Sequence, residues 1–216
     1  MNTEHLSGLQ ENLEGIRQLL SHLHGEISTL EVQYRQVLRV LENEREIHRR
    51  DELTGVHRRS SFFENWGRLI DGATLAGSEI GLILLDVDHF KRINDFYGHP
   101  AGDDVLRRLG EVLRGFEAAG CAAGRLGGEE FALAVKLDPG GLSSLFDAAE
   151  LVRKALAEVA LPDGSTITVS IGTAVAGADA LAAGDAAGVQ QRLYEKADEA
   201  LYRAKTGGRN RVVEAA

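Results

Sequence analysis

A second cysteine is missing from this sequence, and with it any internal disulfide; Cys121 stands alone, which fits a reducing compartment. Long apolar runs are missing too. No stretch reaches the roughly eighteen residues that cross a membrane, and Met1-Asn2-Thr3-Glu4-His5 has no basic segment leading into an apolar one. An excess of positive charge is lacking: the formal net charge of −9 argues against a nucleic-acid partner. No internal repeat is evident. The expectation is a soluble cytoplasmic protein, with no membrane and no nucleic acid among its partners. Its 216 residues hold one ordinary domain and a smaller element.

Residues 1–50 carry the clearest periodicity. Leu6, Leu9, Leu13, Ile16, Leu20, Leu23, Ile27, Leu30, Tyr34, Val37 and Leu41 recur at alternating spacings of three and four, the a/d seam of a coiled coil. A helix lying on its own domain normally uses a wider stripe, so the seam points to pairing between chains and a homodimer. Leu19, Leu38 and Val40 widen it locally. Gly8, Gly15 and Gly25 each cost on the order of 1 kcal/mol relative to alanine. In a parallel pair Glu26 faces the partner's Glu31, and after Leu41 the seam positions fall to Glu44 and His48. A coil weakened in this way suits a change of register or partner as the means of setting activity, and equally a fixed dimer that tolerates these residues at its surface. His5, His22, His24 and His48 are too irregularly spaced to read as metal ligands and are taken as solvated.

Asp51-Glu52-Leu53-Thr54-Gly55-Val56 breaks the helical pattern and opens a second domain over residues 51–216. Ser60, with Glu64 behind it, is expected to start a helix whose core face is Phe62, Phe63, Trp66, Leu69 and Ile70. From Ile80 the order reads strand, helix, hairpin, helix, strand, helix, short strand. The helices are expected over 103–116, 142–160 and 189–204, the later strands over 167–175 and 211–213, and a loop over the Ala/Gly-rich residues 174–188. This is α/β with a sheet at least partly antiparallel.

Chemistry concentrates in two blocks. Arg125-Leu126-Gly127-Gly128-Glu129-Glu130-Phe131 reads as a hairpin tip, its glycines expected at positive φ. Two adjacent carboxylates beside bare backbone suit a metal ion and a phosphate that approaches closely. Leu82-Ile83-Leu84-Leu85 is a buried strand that ends in Asp86-Val87-Asp88, two acids on one face. The segment from His89 to Asp103 then supplies cations, amides and a further acid. Together these two blocks resemble the signature blocks of the GGDEF domain, the diguanylate cyclase family. Asp51 to Gly55 also resembles the Asp-x-Leu-Thr-Gly motif that joins a signalling helix to that domain, with Arg58 where the family usually has asparagine.

The resemblance covers about Asp51 to Val213. It implies a palm-like, nucleotidyl cyclase-like fold: a mixed, largely antiparallel sheet flanked by helices, preceded here by the long coiled-coil helix. Phosphoryl transfer between nucleotides needs hard cations on the phosphates. Asp86 and Glu129 are placed on the metals with the Val87 carbonyl, Mg²⁺ or Mn²⁺ being expected at two ions per half-site. Glu130 assists the metals or helps to deprotonate the attacking 3′-hydroxyl. Asp88 is read as structural. Lys91, Lys205 and Arg209 answer the triphosphate charge, with Gly128 and the backbone amides of Phe90 and Lys91 close to the phosphates.

Asn94 and Asp103 match the family positions that read the base. A carboxylate accepts from guanine N1–H and N2–H but repels the acceptor N1 of adenine, which favours GTP. Without the flanking blocks, the same two residues read as a turn residue and a helix N-cap. The Arg-x-x-Asp site, where many family members bind product and are inhibited, is replaced by Ala118 and Cys121, so inhibition there is not expected. Arg125 remains able to touch product from a neighbouring surface. The reading is a diguanylate cyclase condensing two GTP between two facing domains held by the coil. Its rivals are a silent module that binds GTP or cyclic dinucleotide, and a cyclase of mixed product. Nothing outside the coil resembles a sensor, so a further sensor domain or a partner protein acting on the coil is expected to supply the input.

Overall fold

The computed structural model describes residues 15, 22–27, 29–37, 49–117, 120–137 and 144–216, in two units, Met1–His48 and Arg49–Ala216. In the first unit residues 22–27 and 29–37 are helical and form α1. Leu23, Ile27, Leu30, Tyr34 and Val37 are 43% to 65% exposed, so the described part of the seam is an uncovered apolar stripe. Glu26 lies 3.5 Å from His22 and Glu31 4.0 Å from Arg35, exposed pairs that contribute little. The seam positions Leu6, Leu9, Leu13, Ile16, Leu20 and Leu41 lie outside the described residues. Among the described residues no helix is long and apolar enough to cross a membrane.

The second unit runs β1 (His57–Arg58), α2 (Arg59–Ala76), β2 (Glu79–Val87), α3 (Phe90–Tyr97), α4 (His99–Gly115), β3 (Cys121–Arg125), β4 (Glu130–Leu137), α5 (Leu145–Leu156), β5 (Val169–Ala176), α6 (Ala178–Ala182), α7 (Ala186–Thr206) and β6 (Val212–Glu214). One six-stranded sheet has the order β1-β3-β4-β2-β5-β6. Its centre is antiparallel: β4 and β5 flank β2 on either side, and the two outer pairs are parallel.

Alternation along β2 divides the core into two layers. Ile83, Leu85 and Val87 pack with Val105, Leu109 and Leu113 of α4 and Ala149 and Val152 of α5. Ile80, Leu82 and Leu84 pack with Phe62, Trp66 and Ile70 of α2 and Leu193, Ala197 and Leu201 of α7. The parity that buries Leu82 and Leu84 on the α2/α7 side puts Asp86 on that side as well, at the strand's end. Close approach to the sheet needs glycine at Gly172 and Gly124. A Cβ on Gly172 would lie 2.1 Å from the Ala197 carbonyl of α7, and one on Gly124 would lie 2.5 Å from Phe62.

Several expectations are corrected. α4 starts at His99, not at Asp103, because Gly98 at φ 83° ends α3 and Pro100 fits the first turn of the next helix. The short α3 and β1 carry too little periodicity to be read from the chain. α2 starts at Arg59, so Ser60 lies inside it. Residues 174–188 are not a loop: β5 continues to Ala176, α6 buries Leu181, and the Asp185 side chain caps α7 by accepting from Gly188 N at 2.8 Å. Alanine favours helix wherever a cap and one apolar anchor are available.

Candidate active site

The central strand brings the acids together. Asp86 on β2 stands in register opposite Glu130 on β4 and Ser170 on β5. Directly opposed residues of an antiparallel pair hold their Cβ atoms about 5 Å apart, so Asp86 and Glu130 share one face. Val87 donates its N–H to the Glu129 carbonyl at 3.4 Å, which brings Glu129 of the β3–β4 tip to the same strand end. Glu130 is exposed and Glu129 half-buried.

The tip is closed differently from the expectation. Leu126 N and Gly127 N both donate to the Glu130 carbonyl, at 2.9 and 3.4 Å, and neither Gly127 nor Gly128 has a positive φ. What fixes the turn is Arg125. Its Nε donates to the carbonyls of Gly127 and Gly128 at 3.3 and 3.0 Å, its Nη2 to Gly128 at 2.8 Å, and its Nη1 to Asp51 Oδ1 at 3.0 Å. The Glu130 carboxylate lies 3.1 Å from where a Gly127 Cβ would stand, and nothing lies within 4 Å of one on Gly128. The glycines therefore keep the tip bare rather than bend it. Arg125, bonded to the turn and to Asp51, holds the loop.

Two cations meet the acids. Lys205 Nζ, from the last turn of α7, lies 2.8 Å from Asp86 Oδ2. Burial pushes the Asp86 carboxyl above its ordinary value; Lys205 opposes this, Asp88 adds to it, and Arg209 opposes it from the following turn. Among the described residues no three His, Cys, Asp or Glu side chains gather as a metal site. Two carboxylates and a carbonyl nonetheless fit Mg²⁺, which takes its other ligands from substrate oxygens and water.

Beyond β2, His89 at φ 57° turns the chain into α3. The N–H groups of Phe90 and Lys91 fall in its first turn, where a helix has no partners of its own to offer. Phe90 is buried and Lys91 exposed. Asn94 is inside α3 and Asp103 inside α4, exposed, so neither the turn nor the N-cap reading applies to them. Gly102 joins the two: a Cβ there would sit 1.9 Å from Asn94 Oδ1 and 3.2 Å from the Phe90 ring. Its bareness lets the Asn94 amide lie against α4 beside Asp103. A cavity of about 600 Å³ opens beside α3, lined by Asp88, His89, Arg92, Phe96, Tyr97 and Asp163 among others, and none of the residues read from the sequence as metal, phosphate or base ligands lines it.

At the replaced Arg-x-x-Asp position, burial and the Glu117 carboxylate push the Cys121 thiol up to about 12. Ala118 lies outside the described residues. The sequence reading missed Asp51–Arg125 and Gly102. A pair 74 residues apart leaves no local signal, whereas a glycine between two polar base-reading candidates was a signal passed over.

The family model described as "Diguanylate cyclase, GGDEF domain" matches residues 48–211. Diguanylate cyclase DgcM of Escherichia coli is 36% identical over 168 residues, and Diguanylate cyclase VdcA of Vibrio cholerae 37% over 164, each alignment covering 76% of this chain. The chain spans less than half the length of these relatives, 38% and 46%. Among solved structures, the coiled coil and GGDEF domain of DgcB from Caulobacter crescentus, in complex with c-di-GMP, is similar at a TM-score of 0.72 and 30% identity, covering 89% of this chain and 99% of that one. Diguanylate cyclase SiaD of Pseudomonas aeruginosa, in complex with its activator SiaC, has a TM-score of 0.73 at 28% identity, covering 99% of this chain and 78% of that one.

Proposed function

Because the chain belongs to the diguanylate cyclase family of GGDEF domains, we propose that it condenses two GTP molecules into cyclic di-GMP and two pyrophosphates. The observation that carries this reading is the meeting of Asp86, Glu130 and the Glu129 backbone at one strand end, with Lys205 already on Asp86. Asp86, Glu129 and the Val87 carbonyl are the groups proposed to hold Mg²⁺ or Mn²⁺, with two ions expected in each half-site. When bound, the metal neutralises triphosphate charge and polarises the α-phosphate.

The chain's own residues do the rest. Lys205, Arg209, Lys91 and the first amides of α3 bind the phosphates, the bare Gly128 lets them approach, and Asn94 with Asp103 orients guanine. Glu130, exposed at the tip, accepts the proton of the attacking 3′-hydroxyl. Each 3′-oxygen forms a bond to the other nucleotide's α-phosphorus as the bond to pyrophosphate breaks, so two domains must face each other. One chain supplies half a site. Residues 1–50 are proposed as the coiled coil that brings two copies together and takes input from a further sensor domain or a partner protein, and residues 51–216 as the cyclase domain. With Cys121 in place of the acid of Arg-x-x-Asp, product is not expected to inhibit through that site.

The test is product identification by mass spectrometry after incubation with GTP and Mg²⁺. Cyclic di-GMP from the wild type, and none from Asp86→Ala or Glu129→Ala, is expected. GTP binding without product would contradict the proposal and leave a silent binding module. A mixed adenine–guanine product in the presence of ATP would contradict the base assignment.

A further inference from the structure

Asp88 lies two residues beyond Asp86 and is 5% exposed, yet it takes no place in the chemistry above. Both of its oxygens are engaged. Oδ1 accepts from Ser170 Oγ at 2.6 Å; Oδ2 accepts from Thr168 Oγ1 at 2.7 Å and from the backbone N–H of Asn210 at 3.0 Å. Its own N–H donates to the Thr168 carbonyl at 2.9 Å. Ser170 belongs to β5 and Thr168 directly precedes it, so the two hydroxyl bonds tie the end of β2 to the start of β5. The third reaches a different element.

That element is the turn after α7, where Gly208, Arg209 and Asn210 have φ of 114°, 62° and 45°. Two successive non-glycine residues in the left-handed region persist only where the surroundings hold them there. Arg209 N donates to the Ala204 carbonyl at 3.0 Å, and Arg153 Nη1 donates to Asn210 Oδ1 at 2.8 Å. The N–H of Asn210 is held by a buried carboxylate, and a charged acceptor makes that the strongest kind of bond available to a backbone donor. Lys205 stands in the last turn of α7, just before the turn, and Arg209 sits within it. The position of Arg209 relative to Asp86 thus depends on where the turn is pinned.

We propose that Asp88 is a positioning residue for the triphosphate: by clamping the Asn210 N–H it holds the left-handed turn so that Arg209 faces Asp86 beside Lys205. This rests on the reading of the site as a GTP site. It assigns the second acid of Asp86-Val87-Asp88 to the phosphate-binding turn rather than to the metal or to strand pairing alone.

The experiment compares affinities for GTP and for guanosine, which lacks the phosphates, in the full chain and in Asp88→Asn, Ser170→Ala and Arg209→Ala, with a thermal melt of each. Asp88→Asn is expected to weaken GTP about tenfold, as loss of a charged hydrogen bond does, and to leave guanosine unchanged. Ser170→Ala, which removes one bond between the end of β2 and β5 and leaves the Asn210 bond in place, is expected to lower the melting temperature and leave GTP within twofold. The double variant Asp88→Asn/Arg209→Ala is expected to bind GTP no worse than Arg209→Ala alone, because both act through one group. Equal loss for GTP and guanosine in Asp88→Asn, or multiplicative losses in the double variant, would overturn the inference. A wild type that binds no GTP would overturn the function reading and this inference with it. If Asp88→Asn does not fold, hydrogen exchange in the wild type decides: an Asn210 amide as slow as those of β5 supports the clamp, and one exchanging at the rate of a free turn overturns it.

Discussion

Arg125 Nη1 donates to Asp51 Oδ1 at 3.0 Å, joining the turn that opens the second unit to the residue that holds the carbonyls of Gly127 and Gly128. Asp51 also accepts from the N–H and hydroxyl of Thr54, at 3.0 and 2.8 Å. Burial pushes its carboxyl up, but the bonds from Thr54 and Arg125 outweigh burial and hold it below its ordinary value. With the folded value depressed, the contribution is present above the unfolded value of 3.8 and is lost as pH falls through the folded one. Asp51→Asn should cost about 1–3 kcal/mol at pH 7, with the difference from wild type shrinking below about pH 4. Urea unfolding at pH 7 and pH 3 checks this; an equal difference at both would contradict it.

Gly102→Ala should weaken guanine recognition. Its Cβ would fall 1.9 Å from Asn94 Oδ1, so the amide must leave its place against α4. A loss of about tenfold in GTP affinity is expected, together with about 1–3 kcal/mol of stability from overpacking. Titration with a fluorescent GTP analogue and a thermal melt measure the two, and unchanged affinity would contradict the placement of Asn94.

Cys121 should behave as an inert thiol. Burial, with the Glu117 charge behind it, raises the thiol from 9.0 to about 12. The folded value is raised, so the neutral thiol's contribution is complete below pH 9 and is lost as pH climbs from about 9 to 12. Native protein should resist iodoacetamide at pH 8 until unfolded, and wild type should lose stability relative to Cys121→Ala across that alkaline window. Rapid alkylation of the folded chain would contradict this.

Ile27→Lys and Leu30→Lys place charge on the exposed stripe of α1, where the two residues are 53% and 63% exposed. The second unit should unfold in urea within about 0.5 kcal/mol of wild type, as surface changes do. Mass by light scattering should fall to that of one chain, and turnover per chain should fall with it. A monomer of full activity would contradict the role proposed for the coil.

Legibility followed periodicity. The apolar run of β2 shows in the chain because both its faces are buried, and the inward faces of α2 and α4 because burial on one side writes a period of 3.6. The acids at the end of β2 and the tip after β3 were visible as carboxylates in places where a strand or turn gains nothing from them. α3 and α6, of eight and five residues, were not, since so short a helix carries hardly two turns of pattern. The start of α4 was set four residues late because Asp103 resembles a cap, while Pro100 marks the true first turn. Asp88 reads as structural in the sequence, but its partners could not be read: Thr168, Ser170 and Asn210 are 80 to 122 residues away and come together only through the order of the strands.

The central claim is that two copies of this chain complete one active site from Asp86, Glu129 and Glu130 on each. Its most direct test is pyrophosphate release from GTP with Mg²⁺ as a function of protein concentration. Rate per chain should rise with concentration until dimers saturate, and should vanish at every concentration in Asp86→Ala and Glu129→Ala. A rate per chain that is independent of concentration down to fully monomeric protein, or that survives in either variant, would contradict the account.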